Sequence, residues 1–149
     1  MTITATPTSL TALVDASTRR FNLLSMFDDP RTTGLVATFQ LYETRLGGGV
    51  TNVLLFDQAG AGAPGTVQNF QNYVNDGDYV NSFIHRSALD SLNNPFIIQG
   101  GGFTVENNLS FGLVPTDAPI VNELDPDRSN VRGTIAMAKG EGPDRATNQ

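Results

Sequence analysis

The fold of this chain is decided by two short stretches, FIHR at residues 83–86 and FIIQGGG at residues 96–102. Both stretches begin with aromatic and β-branched residues, which favour short β-strands. Strand alternation places Ile97 and Gln99 on one face and Phe96 on the other. A bend at the three glycines would create a shallow apolar surface with a carboxamide at its edge. Such a surface suits a proline ring beside a peptide bond.

Arg86 is a candidate functional residue because of the residues expected near it. Taken alone, it would be a solvated or salt-bridged cation. Together with Phe96 and Gln99 it becomes a candidate for chemistry, because a guanidinium is always charged and donates hydrogen bonds in a fixed fork. The pattern therefore predicts a polar and aromatic site on a strand surface.

Other chemistries have weaker support in the sequence. His85 is the single histidine and there is no cysteine, so a transition-metal site is not expected. A lone strand histidine is more often structural, and the G-x-S-x-G elbow of a hydrolase is missing. The run GAGAPG at residues 60–65 matches a dinucleotide fingerprint, but the long helix and repeated βα units are absent. A flexible loop is favoured there, and a hydrolase centred on His85 is the weakest alternative.

Length and composition indicate one mainly β domain. The 149 residues suffice for one core, and 15 glycines with 8 prolines favour turns and short strands. A net charge of -6 without a basic patch argues against nucleic acid as a partner. The N-terminus lacks a basic start and an apolar run, so a conventional signal peptide is not predicted. No apolar run anywhere in the sequence is long enough to predict a transmembrane segment. The compartment stays open between the cytoplasm and export by a signal that is not N-terminal.

The chain is predicted to divide into an N-terminal extension and one domain. Residues 1–33 form the extension, partly disordered, with a short amphipathic turn at 19–27. The domain covers 34–149. Its predicted elements are strands at 35–41, 50–56, 82–86, 96–99 and 133–139, a helix at 66–74, a turn at 125–128 and an irregular excursion at 103–119.

The helix prediction depends on an apolar stripe and two end signals. Val67, Phe70 and Val74 recur at helical spacing. Thr66 is the expected N-cap and Gly77 the expected left-handed C-cap. The two runs at 35–41 and 50–56 predict a β-hairpin.

Four segments resemble the cyclophilins, the peptidyl-prolyl isomerases, in that family's order. They are APGTVQNF at 63–70, FIHR at 83–86, FIIQGGGF at 96–103, and the run from NE at 122–123 to RGTIAMA at 132–138. The resemblance implies an antiparallel β-barrel with capping helices, of which the C-terminal part would be missing from this chain. It also implies cis-trans isomerisation of X-Pro bonds in protein folding, without a cofactor.

The resemblance also implies roles for individual residues. Arg86 would be the catalytic guanidinium, Phe96 and Ile97 would line the proline pocket, and Gln99 would hold the substrate backbone. The remaining substrate-binding positions would be Ala138, Lys139 and Gln149. Proline-containing peptides or unfolded proteins would be the partners, with cyclosporin-type ligands as candidates. A non-catalytic proline-peptide-binding module, or an inactive fragment of an isomerase, is the alternative.

Two departures from the family pattern lie inside the site. Ile84 interrupts the family's contiguous F-H-R, and the interval of residues 87–95 is several residues longer than in the family. This interval leads directly into the site and could displace Phe96.

Overall fold

The fold is described from a computed structural model, for residues 2–3, 27–42, 49–106, 110–140, 142, 144 and 146–148. The chain divides into two compact units, residues 1–62 and 63–149. The predicted disordered arm and amphipathic turn lie almost wholly outside the described residues. The described helices are all too short or too polar to cross a membrane.

The first unit is built around one β-hairpin. Strand β3 (Val36–Gln40) runs antiparallel to β4 (Val50–Leu54). The predicted hairpin is confirmed, with each strand two residues shorter than the predicted run. A second short pair joins β1 (Thr2–Ile3) to β2 (Phe27–Asp28).

Two aspartates fix the segments that flank this hairpin. The carboxylate of Asp57 accepts hydrogen bonds from the backbone N–H of Thr33 at 2.7 Å and from its hydroxyl at 2.5 Å. Asp29 forms a salt bridge of 2.7 Å with Arg31, whose guanidinium lies 4.3 Å from the ring centre of Phe56. Hydrogen bonding from the Arg31 side chain lowers the pKa of Asp29 to about 2. Ionised carboxylates therefore hold these loops at neutral pH.

The second unit contains the helix α1 (Pro64–Asp76), which is longer at both ends than predicted. Pro64 stands in the first turn, where its fixed φ is favourable and its missing N–H costs nothing. The prediction of Thr66 as N-cap is wrong: the N-cap is Ala63, which makes no side-chain cap hydrogen bond. Gly77, with φ of 77°, confirms the predicted left-handed C-cap.

A carboxylate from a distant part of the chain replaces the missing N-cap. Glu123 accepts hydrogen bonds from the backbone N–H groups of Gly65 at 3.1 Å and Thr66 at 2.6 Å. These donors have no partner within the helix, and the helix dipole favours a negative charge there. Burial raises the pKa of Glu123, but these hydrogen bonds and the charge of Arg128 outweigh it, so the pKa lies below its ordinary value.

The core of the second unit forms around the fully buried Tyr73. Its hydroxyl accepts a hydrogen bond of 2.7 Å from the backbone N–H of Asp117. Val67 and Asn69 are buried on the same helix, whereas Val74, predicted on the apolar stripe, is exposed. The inward face therefore includes a polar residue, which hydrophobic periodicity does not register.

Buried amides tie the segment at residues 146–148 to this core. Asn69 donates from its side chain to the carbonyl of Thr147 at 2.8 Å. The buried side chain of Asn148 donates to the carbonyls of Val114 at 3.1 Å and Pro115 at 3.2 Å. Tyr79 donates from its hydroxyl to the carbonyl of Asn148 at 2.9 Å. Each hydrogen bond satisfies a polar group that would otherwise be costly to bury.

The strands of the second unit form two antiparallel hairpins. The first pairs β5 (Arg86–Leu89) with β6 (Pro95–Gln99), and the second pairs β7 (Phe103–Val105) with β8 (Phe111–Leu113). The prediction of an irregular excursion at 103–119 is therefore wrong in its first part. No sheet among the described residues has more than two strands, so no closed barrel is formed there.

The prediction of a last strand at 133–139 is also wrong. The structure has only an isolated bridge there, between Lys139 and Ala146. Ala146 also forms an isolated bridge with Ile120. The predicted turn at 125–128 is a short 3-10 helix (Pro126–Arg128).

Replacing Glu123 by Ala should lower the free energy of unfolding by about 1 kcal/mol, the usual loss for an N-cap. Because the folded pKa is below the ordinary value, this contribution is complete above the ordinary pKa of a glutamate. It is lost as the pH falls through the lowered folded pKa. Urea unfolding of the parent and the variant across this range measures the difference. Asp127→Ala, which removes an exposed carboxylate on the 3-10 helix, is the control, and an equal loss there would contradict the cap.

Candidate active site

Arg86 and Gln99 face each other across the β5–β6 hairpin. They are directly paired in the ladder, and Nη1 of Arg86 donates a hydrogen bond of 3.1 Å to Oε1 of Gln99. The strand predicted at 82–86 is shifted: β5 begins at Arg86, and Ser82 instead bridges to Thr104. The pairing of the two candidate side chains is nevertheless direct, because opposite residues of an antiparallel pair project to the same face.

The face of the hairpin that carries Arg86 is the more sheltered one along β6. Ala88 lies opposite Ile97, one alternation further along, and thus shares the face of Arg86 and Gln99. Ile97 and Gln99 are half-buried, whereas Ile98 between them is 72% exposed. This alternation agrees with the predicted placement of Ile97 and Gln99 on one face.

A register shift sets Phe96 apart from this alternation. Ala88 pairs with Ile97, but the next residue, Leu89, pairs with Pro95. Phe96 is therefore the extra residue of a β-bulge, a feature that re-aims a side chain and strengthens the local twist. Its side chain is 68% exposed.

The long interval between the strands is an ordered turn. The carboxylate of Asp90 accepts hydrogen bonds from the backbone N–H groups of Leu92 at 2.8 Å and Asn94 at 2.9 Å, and from the Asn94 side chain at 3.2 Å. Asn93 adopts the left-handed conformation, with φ of 64°, which Asn tolerates better than most residues. The hydrogen bonds from Asn94 and Leu92 hold the pKa of Asp90 below its ordinary value.

His85, which directly precedes β5, lies in an aromatic cluster. Its ring meets Phe103 edge-on with centroids 4.9 Å apart, and Phe83 packs against Phe103 and Phe111. Nδ1 of His85 is buried and has no hydrogen-bond partner in the described structure. No described carboxylate therefore orients the imidazole through that atom, as the aspartate of a hydrolase triad would.

Ile84, which interrupts the family's motif, is two residues before Arg86. Its side chain lies close to Gly100, where a Cβ would come within 3.0 Å of it. Phe83, by contrast, belongs to the aromatic cluster. Hence Ile84 borders the segment that leads from Gln99 into the glycines.

The remaining candidate residues lie on other segments. Lys139 is exposed and bridges to Ala146, and Ala138 is half-buried beside it. Gln149 lies outside the described residues. The neighbouring Asn148 packs against Gly101, where a Cβ would come within 2.6 Å of the Asn148 carbonyl and φ is 82°. Sequence reasoning missed Asn148, and only its position next to Gln149 could have drawn attention to it.

The run at residues 60–65 leads into the N-terminus of α1, where a carboxylate already occupies the position that a phosphate would take. The N–H groups of Gly65 and Thr66, which such a ligand would need, are already bonded to Glu123. The loop favoured for this run ends at Ala63, because Pro64 and Gly65 belong to α1.

A family model for the cyclophilin type peptidyl-prolyl cis-trans isomerase matches residues 42–149. The chain therefore belongs to this family, and the paired strands and the one α-helix of the described residues agree with part of a cyclophilin fold. No solved structure matches the chain.

Bacterial relatives agree with this family. Peptidyl-prolyl cis-trans isomerase B of Escherichia coli is 41% identical over 87 residues, which cover 58% of this chain and 48% of that protein. Peptidyl-prolyl cis-trans isomerase A of Dickeya dadantii is 37% identical over 107 residues, covering 66% and 52%. The chain spans about half the length of the curated relatives it matches.

The turn contacts of Asp90 lead to a titration test. Because its pKa is lowered by bonds from backbone N–H groups, the amide protons of Leu92 and Asn94 should shift with the same midpoint as the Asp90 carboxyl. That midpoint should lie below the ordinary value for an aspartate. An NMR pH titration measures both signals, and Asp90→Ala should abolish the shared transition. Independent midpoints for carboxyl and amides would contradict the turn geometry.

Proposed function

We propose that this chain is a peptidyl-prolyl cis-trans isomerase acting on X-Pro bonds of proline-containing peptides or unfolded proteins, with Arg86 as the catalytic residue. The single observation that carries the proposal is the hydrogen bond of 3.1 Å between Arg86 and Gln99 on one hairpin face. It holds a permanent positive charge beside a carboxamide and a half-buried Ile97. Family membership gives this arrangement its reaction class.

The chemistry needs neither a nucleophile nor a cofactor. The barrier to rotation about a peptide bond is about 18–20 kcal/mol and comes from amide resonance. Twisting the X-Pro bond breaks that resonance and returns a lone pair to the prolyl nitrogen. A guanidinium aimed at this nitrogen binds the twisted form better than the planar one, and such differential binding accelerates the reaction. Each tenfold acceleration requires about 1.4 kcal/mol.

Gln99 has two functions in this scheme. Its Oε1 accepts from Arg86 and fixes the orientation of the guanidinium. A neutral acceptor does so without cancelling the positive charge, as a carboxylate would in a salt bridge. The carboxamide N–H₂ group of Gln99 is a donor suited to the carbonyl of the substrate backbone.

Phe96 and Ile97 form the proline pocket in this scheme, with Ala138, Lys139 and Gln149 as further substrate contacts by family resemblance. In a regular strand two consecutive residues project to opposite faces. The bulge at Phe96 interrupts that rule and supports a shared role for Phe96 and Ile97. Cyclosporin-type ligands would compete for the same surface.

A proline-peptide-binding module without turnover is the second candidate. Phe96 is 68% exposed, which favours the binding module. A phenyl ring with few packing neighbours holds a proline ring less firmly. Binding would then persist while the rate acceleration is small. The two candidates differ in one measurement, the rate of cis-trans exchange.

Arg86→Ala should reduce the catalysed exchange of a short Ala-Pro peptide by about 100-fold, the scale for losing one preorganised donor. Arg86→Lys should restore little, since an ammonium cannot reproduce the fork. NMR exchange spectroscopy measures the rate without a coupled protease. Arg132→Ala, which removes another exposed arginine, is the matched control. Equal rates for the parent and Arg86→Ala would refute the catalytic role, and peptide binding without exchange in the parent would establish the binding module.

Gln99→Leu should lower kcat for this peptide by roughly tenfold, because Arg86 loses the acceptor that orients it. Gln99→Glu should also lower kcat, since a carboxylate neutralises the guanidinium. Gln68→Leu, on the exposed side of α1, is the control. Unchanged kcat in both Gln99 variants would show that the orientation of Arg86 does not depend on this hydrogen bond.

A further inference from the structure

The β5–β6 hairpin continues past the proposed catalytic face to a hydrogen-bonded turn. Arg86 and Gln99 pair at its base, and the turn at residues 90–94 closes its far end. Asp90 holds this turn through three hydrogen bonds, two of them from backbone N–H groups. The additional residues of the interval therefore form an ordered projection that starts at the candidate site.

The tip of this arm presents an apolar side chain to solvent. Leu92 lies within the turn and is 79% exposed. Its backbone N–H donates a hydrogen bond to Asp90 within the turn, while the residue itself stays exposed. Between Leu92 and Arg86 lies the exposed ring of Phe96. An apolar tip, an aromatic bulge and the guanidinium thus follow one another along a single hairpin.

We propose that Leu92 is a specificity-determining residue that binds an apolar side chain of the polypeptide whose X-Pro bond lies at Arg86. This rests on the proposed function. The four steps from Arg86 to Asp90 extend about 13 Å at strand rise, and an extended substrate covers about 3.3–3.6 Å per residue. The contacted side chain is therefore about four residues from the proline. Leucine-like side chains are mostly buried in folded proteins, so the selected substrate is an unfolded chain.

The test uses fluorescent peptides with one Ala-Pro core and a fourth-neighbour residue that is either Leu or Ser. One pair carries this residue before the proline and the other after it. The parent chain should bind one Leu peptide roughly fivefold more tightly than its Ser counterpart, as expected for partial burial of a leucine. Leu92→Ser should reduce that ratio to about one. Leu124→Ser, which changes an 84% exposed leucine elsewhere in the same unit, should leave it unchanged.

Two further measurements separate this inference from the proposed function. Asp90→Ala keeps Leu92 but removes the side-chain hydrogen bonds that close the turn. The ratio of the affinities for the Leu and Ser peptides should then lie between that of the parent and that of Leu92→Ser. Exchange of a short Ala-Pro peptide, which cannot reach the tip, should be the same in the parent and in Leu92→Ser. The inference is overturned if no Leu peptide is preferred by the parent, or if Leu92→Ser keeps the preference. A short peptide that shows no Arg86-dependent exchange refutes the isomerase, whatever the binding ratios are.

Discussion

The candidate site depends on the register of one antiparallel pair. Arg86 stands opposite Gln99, and this pairing places both side chains on one face. A slip of one residue would move Gln99 to the other face and bring Ile98 beside the guanidinium. The donor would then lose its acceptor and face an apolar side chain. Because the hydrogen bond forms only in the observed register, it also contributes to selecting that register.

Long-range polar contacts hold the remainder of the second unit together. Few large apolar side chains are fully buried there, and many others stay exposed. The helix start is closed by Glu123 from 57 residues away, and the segment around Asn148 is bonded to Tyr79 and to two carbonyls. Each of these groups joins segments that are distant in sequence. A hydrophobic pattern cannot reveal such contacts, because their partners are polar residues in loops.

The sequence predicted those features that depend on local chemistry. A glycine after an apolar helical stripe predicted the left-handed cap at Gly77. Two runs rich in β-branched residues predicted the hairpin of β3 and β4. The N-cap at Thr66 was wrong because Pro64 permits an earlier start and Glu123 supplies the missing acceptor. The hairpin of β7 and β8 was not predicted, because its strands have three residues each, too few to show an alternating pattern.

At the candidate site, too, the residue types could be predicted from the local sequence, whereas the strand pairing that positions them could not. Residue types and the family resemblance single out Arg86, Phe96, Ile97 and Gln99, but alternation alone places Phe96 and Ile97 on opposite faces. The bulge at Phe96 interrupts that alternation, and it arises where Leu89 pairs with Pro95. Proline cannot donate to the ladder and is confined to edges and bulges, so Pro95 is a physical reason for the irregularity to occur here. The interval of residues 87–95 does not separate the strands, because Arg86 and Gln99 are paired and the turn at 90–94 lies at the far end of the hairpin. The turn at residues 90–94 therefore determines what lies beyond Phe96, while the pair of Arg86 and Gln99 lies at the opposite end of the hairpin.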